Sequence, residues 1–534
     1  GLQVREEEFQ AFGSVPTAAG LRVVAPSVRE VQCVGVGFSG NTPPDGVEAP
    51  LVDVGGGGWE EQRRREPRGA VVLADISYRP PTPEKARIAA AMGAVGIVLV
   101  NWGPPGCALA GWRAIKGVWG NPSPETLQQI PRLPAVGISR ASGDELRSML
   151  AAGPVRVRLR AGSRSGWTRA LQPVGVVRGS PEGGEHVLLA GHFEAWPPGA
   201  TDNASGNGMM LELARSLSLL RDRLERTGVV AFWDGHEVAE AAGSTWYVDS
   251  HWDELRDGCV AYLNLDSPGL EGSTRFVGMS SPELRRFQAE AHRRALGSEG
   301  EVGPLWRAGD QSFAGLGVPG MFGYMGYPPE EVEAAGGAPL GWWNHTPADT
   351  LERLDRRSFE ATARVYAHYL AGLACSPAPP VEFGGPVRGL LAALRGLPAG
   401  WAARLEMEPV AEAARGLLPL VERLDGLSSR RHQGARQATL NRALMRLSRI
   451  LSPALGTVSG KYGQDPYGLS AWSRPYPGLD PILSAVETGA AGAAGAHGTD
   501  PLPLTEALRC RNRLSDALAE AAREASHALE ALGG

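Results

Sequence analysis

The stretch Val187-Leu-Leu-Ala-Gly-His-Phe-Glu-Ala-Trp-Pro-Pro-Gly-Ala-Thr-Asp-Asn-Ala-Ser-Gly206 decides how the rest of the chain is read. It opens as an apolar run without polar alternation, the pattern of a strand buried on both faces of a parallel sheet. The strand ends at His192, a Pro/Gly loop carries the chain to Asp202, and Asn203 to Gly206 lead into a helical pattern from Met209 to Leu220. A histidine at a strand end and an aspartate at the next helix entrance can meet at the carboxyl edge of an open α/β sheet, where such sheets place their sites. Imidazole and carboxylate together suit a borderline metal such as zinc. Asp202 or Ser205 would serve equally well as the cap of a polar loop, so the stretch alone does not choose between metal and cap.

The surrounding pattern sets the architecture. Between about 166 and 380, apolar strand runs at 187–191, 228–233, 259–266 and 317–324 alternate with helical periodicity at 207–222, 244–256, 282–296 and 356–374. That alternation predicts an α/β fold, a mostly parallel sheet with helices on both faces. Upstream, residues 1–30 read as an entry segment and 31–165 as a β-rich block, with strands at 69–75, 93–101, 133–139 and 155–160 and helices at 83–92 and 142–152. Nothing in that block looks catalytic; it reads as a structural or substrate-covering module. Pro377, Pro379 and Pro380 form a linker, after which 385–534 is mainly helical, at 386–395, 408–424, 437–451 and 503–532. Residues 462–477, with Trp472, read as an ordered loop, and 489–498 as a low-complexity surface loop.

Composition narrows the function classes. A chain of 534 residues with 43% hydrophobic and 21% charged residues is an ordinary globular protein of several domains. The net charge of −5 excludes the basic signature of a nucleic-acid binder. Five cysteines, odd in number and without a CxxC pair, point away from a disulfide framework or a zinc knuckle. No apolar run reaches membrane-spanning length, and the first residues lack a signal-peptide pattern. The chain opens at Gly1 rather than Met, as after removal of a leader or tag, so the compartment stays open.

Four further stretches carry ligand-type side chains near strand ends: His236-Glu237 after Val229–Trp233, Asp266 after Ala261–Leu265, Gly309-Asp310-Gln311-Ser312-Phe313, and Trp342-Trp343-Asn344-His345 with Asp349 beyond. Each alone is more often a cap, a turn former or a core histidine. Together, His, Asp, Glu, Asp and His within one α/β unit are the donor set that two adjacent divalent ions need.

The order His192-Phe193-Glu194, Thr201-Asp202-Asn203-Ala204-Ser205-Gly206, Trp233-Asp234-Gly235-His236-Glu237, Gly243-Ser244-Thr245-Trp246, Asn264-Leu265-Asp266-Ser267-Pro268-Gly269 and Asn344-His345-Thr346-Pro347 resembles the co-catalytic two-zinc peptidases of the glutamate carboxypeptidase II and transferrin receptor group. The block at 31–165 resembles their protease-associated insert, and the helical end, with 439–445 and Lys461-Tyr462, their dimerisation domain. The resemblance implies that His192 and Asp266 hold one metal, that His345 and a member of the His236-Glu237 pair hold the other, and that Asp202 bridges them. It implies that Glu194 orients the metal-bound histidine.

Three departures bear on mechanism. The family pattern is Glu-Glu, base then ligand, where this chain has His236-Glu237. One extra residue separates that pair from Gly243. Aligned from Trp233, His236 is the base and Glu237 the ligand; aligned from Gly243, Glu237 is the base and the second metal recruits His236. The first alignment is preferred, because the strand fixes Trp233 to Glu237 while Val238–Ala242 can absorb the extra residue. Third, Asn344 stands where a tyrosine often precedes the last metal histidine; its amide, or the Tyr324 hydroxyl, is an expected oxyanion donor.

Ala314 to His345 contains no Arg or Lys, but has Phe322, Tyr324, Tyr327, Trp342 and Trp343. This argues against an acidic C-terminal specificity and for a neutral or aromatic group. The expectation is a zinc-dependent hydrolase of small peptides or other amides with two divalent ions. The alternatives are a non-catalytic receptor-like protein of the same fold and an amidohydrolase of small non-peptide amides. Leucines at 417–424 and 440–451 suggest a homodimer through the helical region.

Overall fold

In the computed structural model, residues 2–77, 80–179, 184–305, 312–465, 474–492 and 501–533 are described. The apolar runs become neighbouring strands. His186–His192 lies between Thr227–Trp233 and Cys259–Asn264 and parallel to both, and Cys259–Asn264 pairs in parallel with Gly320–Gly326. Every residue of His186–His192 and Cys259–Asn264 is buried, which is why these strands read as continuous apolar runs. Antiparallel strands close the two sides, Arg275–Ser280 against Gly320–Gly326 and Arg156–Val177 against Thr227–Trp233.

Helices cover both faces, as the alternation predicted. Val187 and Leu189 pack with Met209, Leu213 and Leu217 of Ser205–Leu219 and with Tyr366 and Tyr369 of Arg356–Cys375. Leu188 and Ala190 face the other way, onto Tyr247, Val248 and Leu255. The helix predicted at 244–256 is two helices, Ala242–Ser250 and Trp252–Gly258, separated at His251.

The entry segment is more than a lead-in. Gln3–Ala25 is a 23-residue strand paired with Arg156–Val177 from Gln3↔Val176 to Ala25↔Arg156. The β-rich block hangs between the two halves of this ribbon, with Val47–Asp53, Val71–Asp75, Gly96–Val100 and Ala135–Ile138 as successive neighbours in one parallel sheet.

In the helical region, Glu408–Ser428, Gly434–Gly456 and Pro501–Ala531 share one core. Leu417, Val421, Leu424, Leu440, Leu444, Leu447 and Leu451 are buried there, with Leu514, Leu518 and Leu529 among the residues that cover them. Leu418, Leu420 and Ile450 are partly buried against the same core. The leucines that suggested a dimer are thus covered within the chain and carry no argument for a second copy. A helix at Asp480–Gly492 was not foreseen. The rest of the low-complexity stretch, and Trp472, lie outside the described residues. All five cysteines are free thiols. Among the described residues, no helix is long and apolar enough to cross a membrane.

His251 fastens the ribbon to the sheet. Its Nε2 is 3.1 Å from Glu7 Oε2 and its Nδ1 is 3.4 Å from Glu254 Oε2. Hydrogen bonds to Glu254 and Glu7 outweigh the burial and push its pKa up to about 9. The stabilising charge is therefore complete below the unfolded histidine pKa of ~6.5 and is lost as the pH rises through about 9. The melting temperature of the natural chain is expected to fall more steeply than that of His251→Gln over this window; parallel curves would exclude the link.

Candidate metal centre

The carboxyl ends of three adjacent parallel strands converge on one point. His192 is the last residue of the central strand; its Nδ1 lies 2.8 Å from the Glu194 carbonyl, which leaves Nε2 facing inward. Nε2 is 3.0 Å from Asp202 Oδ1 and 3.4 Å from Asp266 Oδ1. Asp202 lies in the turn Ala200–Ala204 that precedes the helix. Its other oxygen, Oδ2, is 3.0 Å from His345 Nε2, and that same nitrogen is 2.9 Å from Glu237 Oε1. The result is two triads, His192, Asp202, Asp266 and Asp202, Glu237, His345, each with ligand atoms within 4.8 Å of one another. His236, with Glu237 and His192, forms a third grouping, its ring stacked on His192 at 4.3 Å and 20°.

Residues outside the expected ligand set hold this arrangement. The Asn203 amide donates to the carbonyls of His192 and Leu265, both at 3.1 Å, and its Oδ1 accepts the Ser267 N–H at 3.2 Å. One side chain thus pins the strand ends that carry His192 and Asp266. The approach is close enough to require glycine at two points: a Cβ on Gly191 would meet the Leu265 carbonyl at 2.2 Å, and one on Gly206 the Asn203 Oδ1 at 2.0 Å. Asp349 takes the Thr201 N–H and hydroxyl on Oδ1, at 2.8 and 2.6 Å, and the Asp202 N–H on Oδ2 at 3.2 Å. Ser312, from the Gly309–Phe313 motif, bonds the Ser244 hydroxyl at 2.7 Å and Trp119 Nε1 at 2.9 Å; Gly309, Asp310 and Gln311 lie outside the described residues.

Three expected roles change. The Glu194 side chain does not orient His192. Its Oε1 accepts the Glu237 N–H at 2.6 Å, and the histidine is held by the Glu194 main-chain carbonyl instead. Asn344 is buried and its amide donates to Asp202 Oδ2 at 2.5 Å, so it positions a carboxylate rather than facing a substrate. Tyr324 is buried with Phe322 and Trp343 in one aromatic cluster, so these three rings fill a core rather than line a pocket. Burial of the loop that carries Asn344 and of the strand that carries Tyr324 explains both; neither could be read from residue type.

The donor set fits zinc: two imidazoles and three carboxylates, oriented from behind by other hydrogen bonds. His192 Nε2, Asp202 Oδ1 and Glu237 Oε1 are buried without a well-formed hydrogen bond; the first two face each other, and Glu237 Oε1 faces His345 Nε2. Their charges are strained accordingly. Burial opposes charge on His192, but Asp266 and Asp202 hold its imidazolium well above the usual histidine range. Burial likewise opposes charge on Asp202, which His192 and His345 hold well below the carboxylate range. Burial pushes the Glu194 carboxyl up to about 7.

Residues 174–370 match Peptidase family M28, and residues 47–146 match the PA domain. The chain carries a metallopeptidase domain of family M28. "Probable lipoprotein aminopeptidase LpqL" of Mycobacterium tuberculosis is 28% identical over 418 residues, 72% of this chain and 77% of that protein. "Probable glutamate carboxypeptidase VP8" of Zea mays is 32% identical over 123 residues, but the match spans only 22% of this chain and 17% of that protein. Among solved structures, a peptidase M28 precursor from Shewanella amazonensis superposes with a TM-score of 0.54 at 21% identity, over 69% of this chain and 83% of that one. BSAP, a zinc aminopeptidase from Bacillus subtilis, gives 0.51 at 19% identity, over 69% and 84%. The structural likeness places the M28 domain in the fold expected from its motifs.

Asn203→Ala removes one amide that serves three backbone groups. The expected cost in the M28 domain is about 3 kcal/mol of unfolding free energy, measured by denaturant titration, with a fall in bound metal. Unchanged stability and metal content would show that the strand ends need no pin.

Proposed function

We propose that the chain is a metal-dependent exopeptidase that cleaves peptide bonds beside neutral or aromatic groups, with two zinc-type ions held by His192, Asp202, Glu237, Asp266 and His345. The observation that carries this reading is the sharing of Asp202, whose Oδ1 faces His192 and whose Oδ2 faces His345, each at 3.0 Å. When bound, the ions supply Lewis-acid chemistry and a water that ionises near neutral pH.

The chain's own groups do the rest. His236 is half-buried against His192 and outside the two triads that share Asp202, which suits it to carry the proton from water to the leaving amine. Glu237 is a ligand, its backbone held by Glu194. Asn344 keeps Asp202 oriented toward both sets. Phe193, 41% exposed directly after His192, and Trp196, stacked on Trp112 at 6.4 Å, offer aromatic surface beside the ligand loops. The similarity to LpqL over most of both chains favours a substrate with a free amino end.

The test pairs His236→Ala with Glu237→Ala. The first is expected to keep its metal and lose about 10²–10⁴ in kcat, and the second to lose an ion, read by mass spectrometry and by hydrolysis of aminoacyl anilides beside glutamyl peptides. Metal lost with His236 and kept with Glu237 would exchange the two roles. Turnover confined to non-peptide amides would make the chain an amidohydrolase, and a metal-free, inactive natural chain would make it a receptor-like protein.

A further inference from the structure

The two triads are assembled by different parts of the chain. His192 and Asp266 are positioned from within the sheet, by the Asn203 amide and the Glu194 carbonyl, and Asp202, which both triads share, by Asp349 and Asn344. Glu237 and His345 belong to loops that lean on the β-rich insert. His345 has φ 59°, a left-handed conformation that is unfavourable for a non-glycine residue and must be held by its surroundings. Trp112 holds it with two backbone contacts: its N–H donates to the His345 carbonyl at 2.9 Å, and its carbonyl lies 3.2 Å from His345 Nδ1. The second contact leaves His345 Nε2 toward Asp202 and Glu237.

The loop after Glu237 is gripped by the same segment of the insert. Glu240 and Ala241 have φ of 48° and 64°, so this loop too is held against local preference. The Gly120 N–H donates to the Glu240 carbonyl at 2.7 Å. Lys116, fully buried, donates from Nζ to the Ala239 carbonyl at 2.7 Å and to the Gly120 carbonyl at 2.6 Å. A buried ammonium is costly unless its hydrogen bonds are made; here they tie residue 116 to the loop that begins at the ligand Glu237.

We propose that residues 112–120 of the insert are a positioning clamp for one metal ion and not the other: the ion held by Asp202, Glu237 and His345 depends on the clamp, and the ion held by His192, Asp202 and Asp266 does not. This rests on the two-ion reading above. Lys116 acts through the loop on Glu237, and the Trp112 backbone acts directly on His345. The insert is therefore part of the metal centre rather than a cover over it.

The experiment titrates the metal-stripped full chain with zinc alone, by calorimetry, with ion counts by mass spectrometry. The natural chain is expected to bind two ions. Lys116→Met keeps the apolar stem and removes both hydrogen bonds; one site is expected to stay at its natural affinity while the other weakens at least tenfold. Gly111→Ala reaches the clamp independently, because its Cβ would meet Asn101 Oδ1 at 2.8 Å and displace the segment carrying Trp112. It is expected to give the same one-site loss, which keeps the proposal testable if Lys116→Met does not fold. Lys85→Met is the control. Lys85 is also buried in the insert, bonded to the Gly56 carbonyl at 2.5 Å and the Ser77 hydroxyl at 2.6 Å, and its loss is expected to leave both zinc affinities unchanged. Two sites that weaken alike, or not at all, in both clamp variants would overturn the proposal alone. A natural chain that binds one ion or none would overturn the two-ion reading and the proposal with it.

Discussion

A buried carboxylate between two imidazoles is the constraint on which this structure turns. Asp202 has almost no access to water, and an ion in that position is tolerated only when opposite charge or donors surround it. Both oxygens are committed, one toward His192 and one toward His345 and Asn344. The turn that presents it is tied down by Asp349, and the next residue, Asn203, closes the strand ends around it. The glycines at 191 and 206 follow from the same crowding, since neither position has room for a side chain.

What could be read beforehand follows from period and position. A strand buried on both faces is a continuous apolar run, so the strands ending near His192, Trp233 and Asn264 were visible, and with them the candidate ligand side chains that follow. Helices on both faces came from the same alternation. The strand before His236 and Glu237 keeps Trp233 in register, and of that pair it is Glu237 that meets Asp202 and His345, while His236 groups with Glu237 and His192. The extra residue is taken up in the loop with left-handed Glu240 and Ala241.

What could not be read depends on contacts without a residue signature. Trp112 reaches His345 through its backbone, across more than two hundred residues of sequence, so nothing about the tryptophan side chain announces it. The insert therefore looked passive. Asn344 and Tyr324 have donors of the right kind for an oxyanion, but burial turned one to Asp202 and the other into an aromatic core. The final helix was legible at 503–532, but not that it covers the leucines of the two helices before it, because an amphipathic stripe does not say which partner it meets.

The ribbon formed by Gln3–Ala25 and Arg156–Val177 has a consequence for how the chain assembles. Gln3 and Val176 are partners although the whole insert lies between them. Closing so long a loop from an open chain is entropically unfavourable, and contacts of that sequence separation slow folding. A folded insert shortens the problem, because it brings Ala25 and Arg156 side by side and lets pairing run outward one residue at a time. The strand that borders the M28 sheet, residues 174–177 against 228–231, is the far end of that run. A module that lies outside the M28 sheet thus sets how easily that sheet's border strand finds its partner.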